Sequence, residues 1–333
     1  MTRYRHPDAM TLPISFDDIL DARARLRPHL QPSPLRSYSL LDQAIGSGIT
    51  VVVKHENLQP TGAFKVRNGL NAILALDQTA RRRGVVAAST GNHGQGLAFA
   101  GRKLGVPVTI CVPEGNNPDK NAAIRGFGAR LIEGGADYYE ATVAADRLSV
   151  DEGLTLLHST ENISVVAGAA TITLEILHQD PDVDILVVAI GGGSQAVGAL
   201  AAAEGLGRGL RVIGVQAEGA SAAYDSWKAK RRITNDRAAT FAEGVATRTT
   251  YDLTFPALVE GLDGFVTVSD AEIADAMRLA LRTTHTLVEP AGVVGLAGLR
   301  NLAPSFTGCR VAVIFSGANV DEATLKRVLD GEI

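Results

Sequence analysis

A regular alternation of short apolar runs with amphipathic helical segments constrains this chain more than any other feature. Gly84–Ala88, Val106–Val112 and Ala129–Ile132 have the composition of buried strands, and segments with helical spacing separate them. The same order returns over Ile185–Ile190 and Arg211–Gln216. Strands that alternate with helices form parallel sheets covered by helices on both faces. The sequence therefore predicts an α/β fold built on open, mostly parallel sheets.

Length and composition limit the classes of protein and of partner. The 333 residues are 46% hydrophobic and carry a net charge of −4, which allows two lobes and argues against a nucleic-acid partner. Cys111 and Cys309 lie in or before β-branched runs, so we expect free thiols and a reducing cytoplasm. Met1–Pro13 lacks the apolar segment of a signal peptide. Ile185–Ala203 is uncharged but contains three successive glycines, which indicates a strand, a turn and a helix rather than a membrane span.

One lysine occupies an unusual position. Pro60 and Gly62 force a turn, and Ala63–Leu76 then has helical spacing, so Lys65 falls in the first turn of a helix. The positive end of the helix dipole and burial both lower the pKa of a lysine in such a place. An amine that acts as a nucleophile needs that environment. A solvated lysine at a helix end is the alternative that this segment alone leaves open.

Three glycine-rich or polar loops follow the carboxyl ends of predicted parallel strands, where ligands bind in open α/β sheets. These loops are Ser89–Gly96, Gly191–Ser194 and Ser316–Asn319. The second loop precedes a helix, so its backbone N–H groups could approach a phosphate closely. A tight turn between a strand and a helix explains the same glycines without a ligand.

A dinucleotide site is the competing interpretation of the glycine turn. Gly191, Gly193 and Gly198 loosely repeat the fingerprint of such sites, and Glu218 could bind a ribose. The third glycine comes two positions late, however, so the Gly-x-Gly-x-x-Gly spacing is not met. This mismatch disfavours an NAD-dependent oxidoreductase.

Six motifs together resemble those of the fold-type II pyridoxal-phosphate enzymes, specifically the threonine/serine dehydratase and serine racemase branch. They are Glu56–Arg67, Ser89–Gln95, Gly191–Ser194, Ala242–Gly244, Glu289–Gly292 and Phe315–Asn319. One of them could occur by chance, whereas all six in the family's order identify the chain as a member. The resemblance covers the chain from about residue 15 to its end.

The resemblance implies a fold similar to the tryptophan synthase β subunit, with two open, mostly parallel α/β domains and the cofactor between them. Residues 1–80 and 162–333 would form the large cofactor-binding domain, and residues 81–161 the small domain that carries the substrate loop. No C-terminal regulatory domain is expected after Ser316. The family also implies a cytoplasmic homodimer that acts on a small amino acid.

The resemblance assigns a role to each site residue. Lys65 would be catalytic, since it would hold pyridoxal 5′-phosphate as a Schiff base and later remove the α-proton of the substrate. Ser316 would face the pyridine nitrogen and leave it largely neutral, which favours elimination over transamination. The other cofactor-binding positions would be Phe64, Asn92, Gly191, Gly192, Gly193, Ser194, Gly244 and Glu289. The substrate carboxylate would lie at Ser89, Thr90, Asn92 and His93.

The implied reaction is that of a dehydratase, also called an ammonia-lyase, which converts a β-hydroxy-α-amino acid to a 2-oxo acid and ammonia. Threonine or serine is the default substrate, and threo-3-phenylserine, 3-hydroxyaspartate or a hydroxyectoine-pathway compound are alternatives. Thr90 stands where serine racemases place a serine base, which argues against efficient racemisation. His93 stands where cysteine synthases usually have threonine, which argues against β-replacement.

Several positions depart from the family pattern. Asn68 stands where glycine is common, and the segments His158–Asn162 and Gly168–Thr171 differ from the usual sequences. The cation site of some relatives maps to Glu218, Ala222 and Tyr224. Because Tyr224 replaces a carboxylate that a hard cation would need, the sequence argues against a divalent metal.

Overall fold

The computed structural model describes residues 10–333, whose strands form two separate sheets. The strands are β1 (Leu35–Ser37), β2 (Thr50–His55), β3 (Val85–Ala88), β4 (Val108–Val112), β5 (Arg130–Glu133), β6 (Thr155–Leu156), β7 (Ile185–Ala189), β8 (Arg211–Ala217), β9 (Gly264–Val268) and β10 (Arg310–Phe315). One sheet has the order β1-β2-β10-β7-β8-β9, and the other has the order β5-β4-β3-β6.

Both sheets are parallel apart from the short edge strand β1, which pairs antiparallel with β2. The last strand, β10, lies between β2 and β7, so both ends of the chain build the six-stranded sheet. The whole four-stranded sheet comes from the segment between β2 and β7. The prediction of an α/β fold with open, mostly parallel sheets is confirmed.

Helices cover the faces of the two sheets. They are α1 (Phe16–Leu26), α2 (Ser39–Ile45), α3 (Lys65–Leu74), α4 (Gln78–Arg83), α5 (Asn92–Leu104), α6 (Pro118–Gly126), α7 (Tyr138–Asp151), α8 (Ile163–Gln179), α9 (Ser194–Gly205), α10 (Ala222–Ala229), α11 (Phe255–Gly261), α12 (Asp270–Thr284), α13 (Val294–Leu302) and α14 (Glu322–Asp330). Short 3-10 helices occupy Glu56–Leu58, Glu218–Ala220, Glu243–Val245, Pro290–Val293 and Ala303–Phe306. None of the helices within residues 10–333 combines the length and apolar composition that crossing a membrane requires.

One edge strand and one helix start leave little trace in the sequence. Strand β9 closes one side of the six-stranded sheet, and only Phe265 and Val268 in it are buried, so its apolar pattern is weak. Helix α5 begins at Asn92, inside the loop that the sequence predicted over Ser89–Gly96. Glycines at 91, 94 and 96 hide this helix start, because glycine disfavours helices and gives no apolar pattern.

Helices α3 and α5 pack backbone to backbone, and this contact positions the site. A Cβ atom on Gly96 would lie 2.4 Å from the carbonyl oxygen of Lys65, so only glycine permits the observed approach. The amino end of α3, which carries Lys65, therefore lies beside the first turns of α5. Cys111 and Cys309 are both free thiols, as predicted, and burial raises the pKa of Cys111.

Candidate active site

Backbone hydrogen bonds join the lysine loop to the loop that follows β10. The Phe64 N–H donates to the Ser316 carbonyl oxygen at 2.9 Å, and the Ala318 N–H donates to the Gly62 carbonyl oxygen at 2.8 Å. Ala63 and Gly317 also form an isolated antiparallel bridge. These contacts hold the turn before Lys65 against the carboxyl end of the six-stranded sheet, with the Ser316 side chain buried beside it.

Lys65 is the first residue of α3, as the sequence predicted. Its amine lies 3.4 Å from the Ser159 carbonyl oxygen and 5.0 Å from the centre of the Phe64 ring. Within residues 10–333 no carboxylate lies at ion-pair distance from this amine. Desolvation by the surrounding atoms lowers the pKa of Lys65 to about 8. The amine is therefore partly neutral near physiological pH, as a nucleophile or a base requires.

The lowered pKa predicts the pH at which Lys65 becomes reactive in the protein without cofactor. Acylation of the amine should rise as the pH passes through about 8, because only the neutral form reacts. A free lysine side chain, with a pKa of about 10.4, should continue to gain reactivity well above that pH. Peptide mass spectrometry after brief acylation at a series of pH values measures both rates. If the acylation rate of Lys65 rises with pH in the same way as that of a free lysine side chain, the lowered pKa of Lys65 is wrong.

The turn Gly191–Gly193 ends β7, and α9 begins directly after it at Ser194. Within residues 10–333, the backbone N–H groups from Gly192 to Ala196 have no protein acceptor. Gly193 has φ of 91°, a backbone conformation that glycine adopts readily. Successive free N–H groups at the amino end of a helix form a binding site for an anion. The turn therefore fits a phosphate, and the carbonyl oxygen of Gly244 lies beside Gly191.

Asn92 connects three loops at this edge. Its Nδ2 donates to Oε1 of Glu289 at 2.6 Å, and its Oδ1 accepts from Nδ2 of Asn319 at 2.7 Å. The Asn319 amide also donates to the Thr61 carbonyl oxygen at 2.9 Å. Burial raises the pKa of Glu289 to about 7. This network holds the first turn of α5 against the loops that follow α12 and β10.

The substrate loop predicted over residues 89–93 presents backbone N–H groups. The Ser89 hydroxyl oxygen accepts from the N–H groups of Gly91 and Gly94, so this side chain shapes the loop. In residues 10–333 the N–H groups of Thr90, Asn92 and His93 find no acceptor. They lie at the amino end of the 13-residue helix α5. This arrangement suits a carboxylate.

The His93 ring is not placed to donate a hydrogen bond to a substrate carboxylate. Its Nε2 lies 3.1 Å from the Leu157 carbonyl oxygen, which can only accept, so Nε2 carries the proton. Nδ1 is buried without a partner among the described residues, and burial lowers the pKa of the ring to about 3. A neutral Nδ1 is an acceptor and cannot donate to a carboxylate. The backbone N–H of His93 is the group that suits the carboxylate.

The positions considered for a metal do not converge on a set of ligands. Glu218 is exposed, Ala222 is buried without a donor atom, and the Tyr224 ring packs edge-on against Phe265 at 5.7 Å. The described part of the chain contains no group of three His, Cys, Asp or Glu side chains that could hold an ion.

Three residues near Lys65 were not predicted as site residues. His158 directly precedes Ser159, whose carbonyl oxygen contacts the amine, and the side chain of Tyr138 is close to that of Ser159. The Tyr251 ring packs against the His158 ring, with centres 5.5 Å apart. His158 lies in a segment whose sequence departs from the family pattern, and Tyr251 lies in a loop-rich region. No local pattern marks them, because they come from two distant stretches of the chain.

Residues 26–317 match the family described as pyridoxal-phosphate dependent enzymes, and the chain belongs to this family. The L-threonine ammonia-lyase of Thermotoga maritima is 36% identical over 317 residues, which cover 95% of this chain and 78% of that protein. The L-threo-3-hydroxyaspartate ammonia-lyase of a Pseudomonas species is 36% identical over 323 residues, or 95% of this chain and 99% of that protein. Maize serine racemase has a similar structure, with a TM-score of 0.89, 30% identity, and coverage of 96% and 97% of the two chains.

The residues present fit pyridoxal phosphate, the cofactor that defines the family. Among the described residues, the half-buried Lys65 amine has no counter-ion, and successive N–H groups at the glycine turn have no acceptor. The Phe64 ring lies 5.0 Å from the Lys65 amine, and the backbone N–H of Phe64 donates to the Ser316 carbonyl oxygen. The two chemical ends of the cofactor, aldehyde and phosphate, thus both have suitable partners.

Adding a methyl group to the glycine turn should weaken cofactor binding. A Cβ atom on Gly192 would lie 2.0 Å from Oγ1 of Thr160, so either the turn or Thr160 must shift in Gly192→Ala. We expect the dissociation constant for pyridoxal phosphate to rise roughly tenfold or more, measured by absorbance titration of the cofactor-free protein.

Gly126→Ala at the end of α6 is the matched control for this substitution. A Cβ atom at Gly126 has no neighbour within 4 Å, so this variant should bind the cofactor as the parent does. Equal dissociation constants for the two alanine variants would show that the glycine turn does not hold the phosphate.

Proposed function

We propose that this chain is a pyridoxal-phosphate-dependent dehydratase, an ammonia-lyase that acts on β-hydroxy-α-amino acids. It would remove water and then ammonia to leave a 2-oxo acid. The observation that carries the proposal is the Lys65 amine, which has no counter-ion within residues 10–333 and lies at the Ser159 carbonyl oxygen, next to the Thr160 that adjoins the glycine turn. The names of the ammonia-lyases that it resembles support the same reaction.

The bound cofactor supplies the electron sink that makes the α-proton of an amino acid acidic. Lys65 removes that proton, because its lowered pKa leaves a neutral amine available as a base. The free N–H groups of Thr90, Asn92 and His93 bind the substrate carboxylate and so orient the α-carbon toward the amine. The N–H groups of the glycine turn and Ser194 hold the phosphate.

The Ser316 side chain would favour elimination. It is the proposed partner of the pyridine nitrogen, and a hydroxyl would not keep this nitrogen protonated as an acid would. With such a partner the cofactor would be a weaker electron sink, which favours loss of the β-hydroxyl group over transamination. Phe64, Asn92, Gly244 and Glu289 complete the proposed cofactor-binding set.

The proposal includes the organisation of the chain. Residues 1–80 and 162–333 would form the large domain, and residues 81–161 the small one. Two observations support this division, since the four strands of the second sheet all lie within the small segment and the site residues lie on both parts. We further propose a cytoplasmic homodimer that acts on a small amino acid, following the family resemblance.

An assay of ammonia and 2-oxo acid tests the proposed function. Protein loaded with pyridoxal phosphate would be incubated with L-threonine, L-serine, L-threo-3-phenylserine and L-threo-3-hydroxyaspartate. We expect equal amounts of ammonia and 2-oxo acid from at least one of them. Racemisation without ammonia would assign the chain to the racemases instead, and consumption of a thiol acceptor would assign it to β-replacement.

A further inference from the structure

Three aromatic side chains form a wall beside Lys65, and we call Tyr138, His158 and Tyr251 the aromatic wall. The His158 and Tyr251 rings are in contact, with centres 5.5 Å apart and planes at 58°. The hydroxyl group of Tyr138 lies 3.4 Å from the Ala88 carbonyl oxygen, and the side chain of Ser159 is close to it. The charge of Tyr138 contributes to the raised pKa of Tyr251.

The aromatic wall adjoins both the Lys65 amine and the strand end that leads into the substrate loop. Ser159 follows His158 in the chain, and its carbonyl oxygen contacts the Lys65 amine. Ala88, which Tyr138 contacts, immediately precedes the substrate loop. An α-carbon placed over Lys65 uses its other bonds for the carboxylate, the cofactor and the proton. The fourth bond carries the side chain, and the wall adjoins the place where this α-carbon would lie.

All three groups of the wall are uncharged. Nδ1 of His158 accepts from the N–H groups of Thr160 and Glu161, at 3.0 and 2.9 Å, so the proton is on Nε2. Burial lowers the pKa of this ring. Tyr138 is 40% exposed, yet partial desolvation still raises the pKa of its phenol, and burial brings that of Tyr251 to about 12, so both phenols keep their protons. The wall therefore offers ring faces and neutral donors.

No free cation adjoins the wall within residues 10–333. Lys65 is the one cation whose charge acts on His158, and its amine must be neutral to remove the α-proton of the substrate. Lys120 lies near Gly91, where a Cβ atom would be 3.5 Å from its Cδ, but its amine is paired with Glu243. A second carboxylate on the substrate would thus be taken from water without a counter-ion, which is strongly unfavourable.

We propose that the aromatic wall selects β-hydroxy amino acids whose β-substituent is uncharged and apolar, either methyl or aryl, and rejects a β-carboxylate. This selectivity rests on the proposed dehydratase function. Aromatic rings would pack against an apolar substituent, and an aryl group would gain edge-to-face contacts as well. The chain would then differ in substrate from the hydroxyaspartate ammonia-lyase to which it is 36% identical.

The first test compares kcat/KM for L-threonine, L-threo-3-phenylserine and L-threo-3-hydroxyaspartate on the same cofactor-loaded protein. We expect the value for hydroxyaspartate to be roughly a hundredfold below the better of the other two. A difference of less than about tenfold, or a preference for hydroxyaspartate, would overturn the selectivity while leaving the dehydratase function intact. Ammonia from none of them would instead reject the dehydratase function.

A binding measurement separates the wall from catalysis. L-aspartate and L-2-aminobutyrate lack the β-hydroxyl group and differ in carrying a β-carboxylate or a methyl group. Their binding can be followed by the visible absorbance of the bound cofactor. We expect L-aspartate to bind roughly tenfold more weakly or worse, and equal or tighter binding would overturn the proposal.

An introduced cation should reverse the selection. Tyr138→Arg places a guanidinium at the wall, and we expect the ratio of kcat/KM for hydroxyaspartate over threonine to rise roughly tenfold. Tyr139→Arg is the matched control, since the neighbouring Tyr139 is 71% exposed and outside the wall. If this kcat/KM ratio changes equally in both variants, or changes in neither, the proposed role of Tyr138 is overturned. If Tyr138→Arg does not fold, the binding of L-aspartate and L-2-aminobutyrate to the parent protein still tests the proposed selectivity.

Discussion

Replacing Lys65 by alanine is expected to abolish turnover while leaving the fold intact. The side chain is half-buried, its amine makes one long contact with the Ser159 carbonyl oxygen, and no ion pair in residues 10–333 depends on it. Its loss should therefore cost little stability. Removing both the anchor of the cofactor and the base for the α-proton should lower kcat roughly 10⁴-fold or more.

Three measurements check the Lys65→Ala prediction. Ammonia release gives the rate, circular dichroism gives the fold, and borohydride reduction followed by peptide mapping locates the covalent attachment of the cofactor. Lys103→Ala is the control, because this exposed lysine lies on α5, far along the helix from the substrate loop. A reduced cofactor attached to any peptide other than the one that contains Lys65 would refute the assignment.

Replacing Arg67 by methionine is expected to destabilise the protein by about 3–5 kcal/mol. The Arg67 guanidinium is 2% exposed and lies 2.8 Å from Glu56 and 2.7 Å from Glu175. Burial alone would lower its pKa, but the two carboxylates outweigh that effect and raise it. Methionine would fill similar space and leave the Glu56 carboxylate buried without its main partner. Urea unfolding of the cofactor-free protein measures the change in the free energy of unfolding.

A surface ion pair provides the matched comparison for Arg67. Arg125 and Glu133 are paired, but their side chains are 53% and 38% exposed, so solvent screens the interaction. Arg125→Ala should change the free energy of unfolding by less than about 1 kcal/mol. Similar losses in the two variants would show that burial does not determine the strength of these pairs here.

The buried network around Arg67 also explains part of the lysine motif. Glu56 and Arg67 stand at the two ends of that motif and bond to each other, and Lys54 donates to Glu175 at 2.7 Å. These charges hold the start of α3 against α8. The motif therefore combines one chemical group, Lys65, with a structural frame that fixes where its amine lies.

The sequence by itself determined the α/β class, the parallel strands and the position of Lys65 at a helix start. These features depend on local periodicity and on glycines or prolines at turns, which the chain displays directly. The glycine turn at residues 191–193 was likewise visible, because strand, turn and helix follow one another along the chain.

Only the tertiary structure decided which groups face the substrate. The His93 ring is directed to the Leu157 carbonyl oxygen, and its backbone N–H remains free, a difference that no sequence pattern reports. His158 and Tyr251 come from segments about ninety positions apart, and their rings lie 5.5 Å apart in the folded chain. Burial and packing set the pKa values of Lys65 and His93, and both arise from contacts between distant residues rather than from neighbours along the chain.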